Sequence, residues 1–270
     1  MYEYLNKRIR AVDEEKIVMY EGLTYDYFQS GFTAAPGGPS YNDRQAYSYH
    51  IYCPLKNEST IHTAINEFVC GKADDEFFSM RKKDVQKLGG GMMMTEFGAE
   101  MDVTPQLLQI DQLLSLVDKH QQSWIYWQFK FYDDITTCCS GESFYDENGN
   151  IYMDKVKALS RTYPQVISGN SVEYKFNSFN SEFDMSYTAS SSNSAATTII
   201  YFNYIAYYFH GIAVQIIVPD EYKDQISFAV IEGKYVVVTT NFNTSTEVPI
   251  TVKLSVCDDS NPTPCAYRNY

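Results

Sequence analysis

The chain is short of basic residues, of metal-binding spacings and of long apolar runs. Its 270 residues hold 21 Lys and Arg against 34 Asp and Glu, a net charge of −13. A chain this acidic is repelled by nucleic acid and by anionic membrane surfaces as general partners. The six cysteines include no C-x-x-C pair of the zinc type, and the four His are scattered. No glycine-rich phosphate loop is present, so no metal, nucleotide or redox cofactor is expected. Met1 leads straight into Tyr-Glu-Tyr-Leu-Asn-Lys-Arg, without the apolar stretch of a secretory signal. The longest apolar region, 199–218, is interrupted by Asn203, His210, Gly211 and Gln215. It reads as two buried strands rather than a membrane span.

What is present is a large apolar and aromatic complement. Hydrophobic residues make up 44% of the chain, and there are 24 Tyr and 16 Phe. That composition builds a sizeable core and suits a site that stacks rings against sugar faces or lipid. The mass of 31.0 kDa allows one large domain or two ordinary ones. Sequons at Asn57 and Asn243, with the cysteines, lean toward an oxidising, secretory compartment. Cys257 and Cys265 could close a small C-terminal disulfide loop. Cys138 and Cys139 are adjacent, a spacing that rarely bonds to itself.

The first part alternates helical and extended patterns. A helix is expected over 2–12, with Leu5, Ile9 and Val12 on one face. Strands are expected at 16–22, 46–53, 90–98 and 123–131, and helices at 60–87, 104–121 and 154–160. Thr104-Pro105 opens its helix with a cap followed by proline at the first position. A Gly/Pro-rich loop spans 23–45. β/α alternation of this kind predicts parallel strands with helices outside. After Asn170 the helical period stops. Ile250, Val252, Leu254 and Val256 alternate with polar residues, and 228–240 reads as a hairpin turning at Glu232-Gly233. The expectation is a barrel-type segment over 1–168 and a small antiparallel β-sandwich over 169–270. Only four β/α units precede the sandwich, whereas a closed (β/α)8 barrel needs eight. The first segment is therefore either a different, open α/β fold or the C-terminal half of such a barrel, and its motifs favour the half-barrel.

Chemistry in such barrels sits at the C-terminal strand ends. Glu96 ends a very apolar strand, where a carboxylate is costly unless used or paired. Its bland alternative is a hydrogen-bonded structural Glu. Trp127 ends the next strand and offers a flat platform for a pyranose, or else a core aromatic. His50 and Tyr52 share one face by the two-residue period. Tyr52 could hydrogen-bond Glu96, and His50 could hold a sugar hydroxyl. Glu100 is the rival carboxylate, read as a loop residue. Glu21 reads as a rim residue in a structural pair, and Asp133 and Asp134 as a solvated turn.

Four segments in order, GFTAAPGGPSYNDRQAYSYHIYCP (31–54), MMMTEFGA (92–99), SWIYWQFK (123–130) and RTYPQVISGN (161–170), resemble the endoglycoceramidase-related branch of glycoside hydrolase family 5. KRIRAVDEEKIVMYEG (7–22) and IIYFNYIAYYFHGIAV (199–214) extend the likeness. The resemblance implies a retaining glycosidase with Glu96 as nucleophile, carboxylates about 5–5.5 Å apart, and His50, Tyr52 and Trp127 on the substrate. It implies a glycosphingolipid substrate cleaved between glycan and ceramide, no cofactor, and a membrane only as the source of substrate. It identifies no protein partner. The family's acid/base lies in an Asn-Glu-Pro motif, which this sequence lacks. Asn57-Glu58-Ser59 and Asn66-Glu67-Phe68 stand in the wrong places. The acid/base half and any secretion signal are thus expected outside this chain, the chain alone is expected to be inactive, and the location is expected to be secreted or a lysosomal or endomembrane lumen. Alternatives are a glucosylceramide or steryl-glucoside β-glucosidase of the same branch, and a non-catalytic carbohydrate- or lipid-binding pseudoenzyme.

Overall fold

The computed structural model describes residues 1–23, 30–52, 60–99, 104–132, 140–191, 196–258 and 263–267. They form two units, Met1–Lys155 and Val156–Tyr270. Glu100, Asp133, Asp134, Cys53, Cys138, Cys139 and the Asn57 sequon lie outside the described residues.

The first unit opens with helix α1 (Tyr2–Arg10). Its burial inverts the expectation from its apolar stripe. Asn6 and Arg10 are the buried residues, while Leu5, Ile9 and the following Val12 are exposed. Arg10 explains the inversion. Its guanidinium donates to the carbonyls of Glu14, Lys16 and Arg44 and lies 4.4 Å over the Tyr41 ring. One buried cation therefore ties the helix to the two segments that lead into the sheet.

Four strands follow: β1 (Val18–Glu21), β2 (Gln45–Ile51), β3 (Gly91–Gly98) and β4 (Trp124–Trp127). They are parallel, in the order β1-β2-β3-β4. Helices α2 (Thr60–Leu88) and α3 (Thr104–His120) connect β2 to β3 and β3 to β4. β2 is an inner strand, buried along nearly its whole length, as a strand covered on both faces must be. Its Tyr47 and Tyr49 turn toward α2. The Tyr49 ring centroid lies 6.2 Å from that of Phe78, and Arg81 donates to the Tyr47 hydroxyl at 3.2 Å. Burial pushes the Tyr20 hydroxyl up to about 12 and raises those of Tyr47 and Tyr49, so this aromatic layer is uncharged. Fully buried Phe78, Met94 and Leu114 each contribute roughly 1.5–3 kcal/mol. β4 ends at Trp127, earlier than the run to 131 predicted. The reason is local: the Gln128 amide bonds the Glu142 carbonyl at 3.3 Å instead of continuing a ladder.

Helix α4 (Met153–Leu159) carries the boundary between the units. The second unit begins before the predicted 168/169 break. Strand β5 (Tyr163–Val166) pairs with β8 (Ala196–Tyr201), and the Tyr163 ring sits 5.3 Å from Tyr201. The remaining strands are β6 (Asn170–Asn177), β7 (Glu182–Ser191), β9 (Ile212–Ile217), β10 (Ile226–Ile231), β11 (Tyr235–Thr240), β12 (Thr244–Val256) and β13 (Cys265–Tyr267). They make two antiparallel sheets, β10-β11-β8-β5 and β13-β9-β12-β7-β6. One core serves both: Ile200, Val236 and Val238 come from the first, Phe183, Met185, Ile250 and Val252 from the second. The 199–218 region supplies β8 and β9. Among the described residues no helix is long and apolar enough to cross a membrane. The hairpin of β10 and β11 turns through Glu232 and Gly233, both at positive φ, the geometry that matches strand twist. Pro249 is tolerated inside β12 because β9 pairs only with residues 251–256. Cys257 and Cys265 are bonded to each other.

Candidate active site

The C-terminal ends of β1, β2 and β3 bring together Glu21, His50, Tyr52 and Glu96. Two neighbouring registers set the arrangement, Glu21 opposite Ser48 and His50 opposite Glu96. On β2, Ser48 and His50 share the face turned away from Tyr47 and Tyr49, as the period of two dictates. β3 does not follow a simple alternation. Its register with β2 passes from Tyr49–Met94 to His50–Glu96, so one extra residue lies on β3. Met94 and Phe97 are buried, while Thr95 and Glu96 between them are both half-buried. The extra residue turns Glu96 onto the face of His50 instead of behind the sheet with Met94.

The carboxylate of Glu96 is 28% exposed, open enough to meet a ligand and sheltered enough to be held. The Tyr52 hydroxyl donates to its Oε1. The same oxygen lies 3.5 Å from His50 Nδ1. Among the described residues nothing donates to Oε2. Two neighbours therefore gather at one oxygen and leave the other without a protein donor among the described residues. The opposite ring nitrogen, Nε2, stands 3.2 Å from Glu21 Oε1. Glu21 Oε2 accepts from Ser48 Oγ at 3.1 Å, and Ser48 in turn is hydrogen-bonded to Thr95. Each nitrogen of His50 thus faces a carboxylate.

Trp127 stands at the end of β4, opposite Gly98 and two residues past Glu96 in register. Its indole is half-buried, and among the described residues no hydrogen bond joins it to Glu96. Gly98 lets the strands meet there. A Cβ at this position, with φ +124°, would lie 2.6 Å from the Trp127 carbonyl and 2.5 Å from the Tyr126 ring. The chain after β4 returns as an aromatic cluster, with Phe129 5.6 Å from both Phe144 and Tyr145. Buried Lys155 pins that return by donating to the carbonyls of Gly141 and Ser143. Phe129 and Tyr132 are exposed. Among the described residues no group of three His, Cys, Asp or Glu is placed to hold a metal ion.

Sequence reasoning assigned Glu96, Tyr52 and His50 to one place, and the structure brings these three together. It missed Ser48 and Thr95 and left Glu21 at the rim. Ser48 was findable, two residues before His50 on the same face. Thr95 was findable too, since alternation from Met94 already sets it on the face of Ser48.

Two family descriptions match the chain: "Cellulase (glycosyl hydrolase family 5)" over residues 1–133 and "Glycoside hydrolase family 5 C-terminal domain" over 161–253. An endoglycoceramidase of Cyanea nozakii is 30% identical over 238 residues, 87% of this chain and 44% of that protein. One of Hydra vulgaris is 31% identical over 218 residues, 80% of this chain and 38% of that protein. The chain thus spans less than half the length of these relatives. The solved endo-glycoceramidase II from Rhodococcus sp., as a lactosyl-enzyme intermediate, superposes with a TM-score of 0.70 at 17% identity, over 95% of this chain and 53% of that one. A further structure of that enzyme is a complex with ganglioside GM3. The likeness carries the fold, TIM-barrel-like with a C-terminal sheet domain.

Proposed function

The chain belongs to glycoside hydrolase family 5, and from that premise we propose that it is the nucleophile-bearing half of a retaining glycosidase acting on glycosphingolipids. The observation that carries this is the carboxylate of Glu96, held through Oε1 by Tyr52 and His50 with Oε2 left free. In the first step an Oε2 electron pair bonds to the anomeric carbon. The bond from that carbon to the aglycone oxygen breaks, and that oxygen takes a proton from a second carboxylic acid. Water then attacks the same carbon and gives its proton to that second carboxylate, while the Glu96 ester bond breaks and returns the carboxylate. The lactosyl-enzyme intermediate of the Rhodococcus relative supports a covalent step. Trp127 offers a sugar platform, and exposed Phe129 and Tyr132 offer apolar surface for a ceramide.

The second carboxylic acid belongs, on this proposal, to four further β/α units outside the chain. Four parallel strands with open edges, the missing Asn-Glu-Pro and the partial span of the relatives support a half-barrel followed by a β-sandwich. Without its acid a glycosidase loses about 10²–10⁴ in rate, so the chain alone should release almost no ceramide from ganglioside GM3 or glucosylceramide. The Cys257–Cys265 bond, the disulfide-bonded Cys70 and the exposed sequon at Asn243 support a secreted or lumenal location.

A leaving group that needs no proton separates the nucleophile from the missing acid. A 2-deoxy-2-fluoro glucoside or lactoside of dinitrophenol should label the chain once. Peptide mass spectrometry should find the sugar on Glu96, and a label on another carboxylate would overturn the assignment.

A further inference from the structure

One carboxylate beside His50 takes no part in the proposed reaction. We propose that Glu21 is a positioning residue for Glu96 and acts through the His50 imidazole. Its premise is Glu96 as nucleophile. Both oxygens of Glu21 are committed to the protein, Oε2 to Ser48 and Oε1 to the His50 ring, so it is not built to bind sugar or to shuttle a proton. It stands 3.2 Å from one ring nitrogen, and Glu96 stands 3.5 Å from the other.

A ring nitrogen that bonds a carboxylate must carry hydrogen, since a bare nitrogen would set lone pair against lone pair. A neutral imidazole carries one hydrogen and can satisfy only one neighbour. Which nitrogen carries it is set by the two carboxylates, 3.2 Å from Nε2 and 3.5 Å from Nδ1, so Glu21 takes part in fixing the hydrogen arrangement that Glu96 meets. The groups facing it are Glu21 from β1, the Tyr52–Glu96 pair at the ends of β2 and β3, and the Ser48–Thr95 hydroxyls behind Glu21. Without Glu21 the ring has one anionic partner, can turn either nitrogen toward it, and no longer reserves Nδ1–H for Oε1. Glu96 would then be held by Tyr52 alone, and Oε2 would lose its aim. A charge two side chains away from the reacting atom thus orients it, as in the outer shells of other sites.

Two measurements on the 270-residue chain test this. In nitrogen NMR of the imidazoles at pH 7, the hydrogen occupancy of the two His50 ring nitrogens should differ between the parent chain and Glu21→Gln. In the fluoro-glycoside reaction, Glu21→Gln should slow labelling of Glu96 about tenfold, but less than about twofold when His50 is already Asn, because coupled residues are not additive. Ring nitrogens that ignore Glu21→Gln would overturn the proposal. Equal slowing with and without His50 would also overturn it, since that is the mark of a purely structural role. A label on another residue would instead overturn Glu96 as nucleophile. If no label forms, the ring nitrogens alone decide: a change supports the relay and no change overturns it.

Discussion

The two units treat their apolar residues in opposite ways. In the second, apolar side chains from both sheets turn inward and share one core, from Phe183 and Ile250 to Ile200 and Val236. In the first, α2 and α3 are buried against the sheet, yet Leu5, Ile9 and Val12 of the α1 region, with Ile17 and Met19 at β1, stay exposed. The sequence patterns of the two units are equally clear; what differs is whether the partner surface belongs to the same segment. Every described strand of the second unit pairs with another strand of that unit, so it completes itself. A parallel barrel closes only when its first strand meets its last. On the half-barrel proposal, the stripe of α1 and the edge of β1 await strands and helices from elsewhere.

Three variants sharpen this contrast, from the largest expected effect to the smallest. Phe183→Ala removes a fully buried ring from the core of the second unit. It should cost about 3–5 kcal/mol, and hydrogen exchange should show β7 and β12 amides losing protection while β2 and α3 keep theirs. Equal losses in both units would mean that they unfold as one. Cys257→Ser opens a loop with a sequence separation of 8. The chain-entropy estimate is about 2.5 kcal/mol, readable as a lower denaturation midpoint for the second unit under non-reducing conditions and as no difference from the parent after reduction. Asp75→Asn addresses the first unit. The Asp75 carboxyl hydrogen-bonds Lys119 at 2.8 Å and His120 at 2.6 Å, and these partners hold it below its ordinary 3.8. A lowered carboxyl stabilises above the ordinary value, and that stabilisation disappears as pH falls through the folded value. The pair is largely exposed, so the variant should cost less than about 1 kcal/mol at pH 7 and match the parent in strong acid.

Much of this architecture was legible from local pattern. Strand and helix positions through 1–131 follow from apolar runs, glycines and the Thr104-Pro105 start, and α2 and α3 end within a residue of expectation. The turn at Glu232-Gly233 and the alternation of β12 are equally local. Three things were not legible. The burial of Arg10 over Tyr41 depends on contacts 31 residues away, so an apolar stripe on α1 gave the wrong inner face. The start of the second unit depends on β5 meeting β8, across more than 30 residues. The aim of Glu96 depends on an added residue, whereas counting by twos from Met92 and Met94 would send it behind the sheet. Glu96 was singled out by its chemistry, as a carboxylate after a run of methionines, and not by its phase.

That added residue in β3 carries a practical warning for anyone redesigning the strand. Deleting Thr95 would repair the ladder and improve every measure of sheet regularity. It would leave Glu96 directly after Met94, still opposite His50 by plain alternation, and what would vanish is the hydroxyl that meets Ser48 beside Glu21. A tidier backbone would thus keep the carboxylate on its side of the sheet and strip one prop from the Ser48–Glu21 pair behind it.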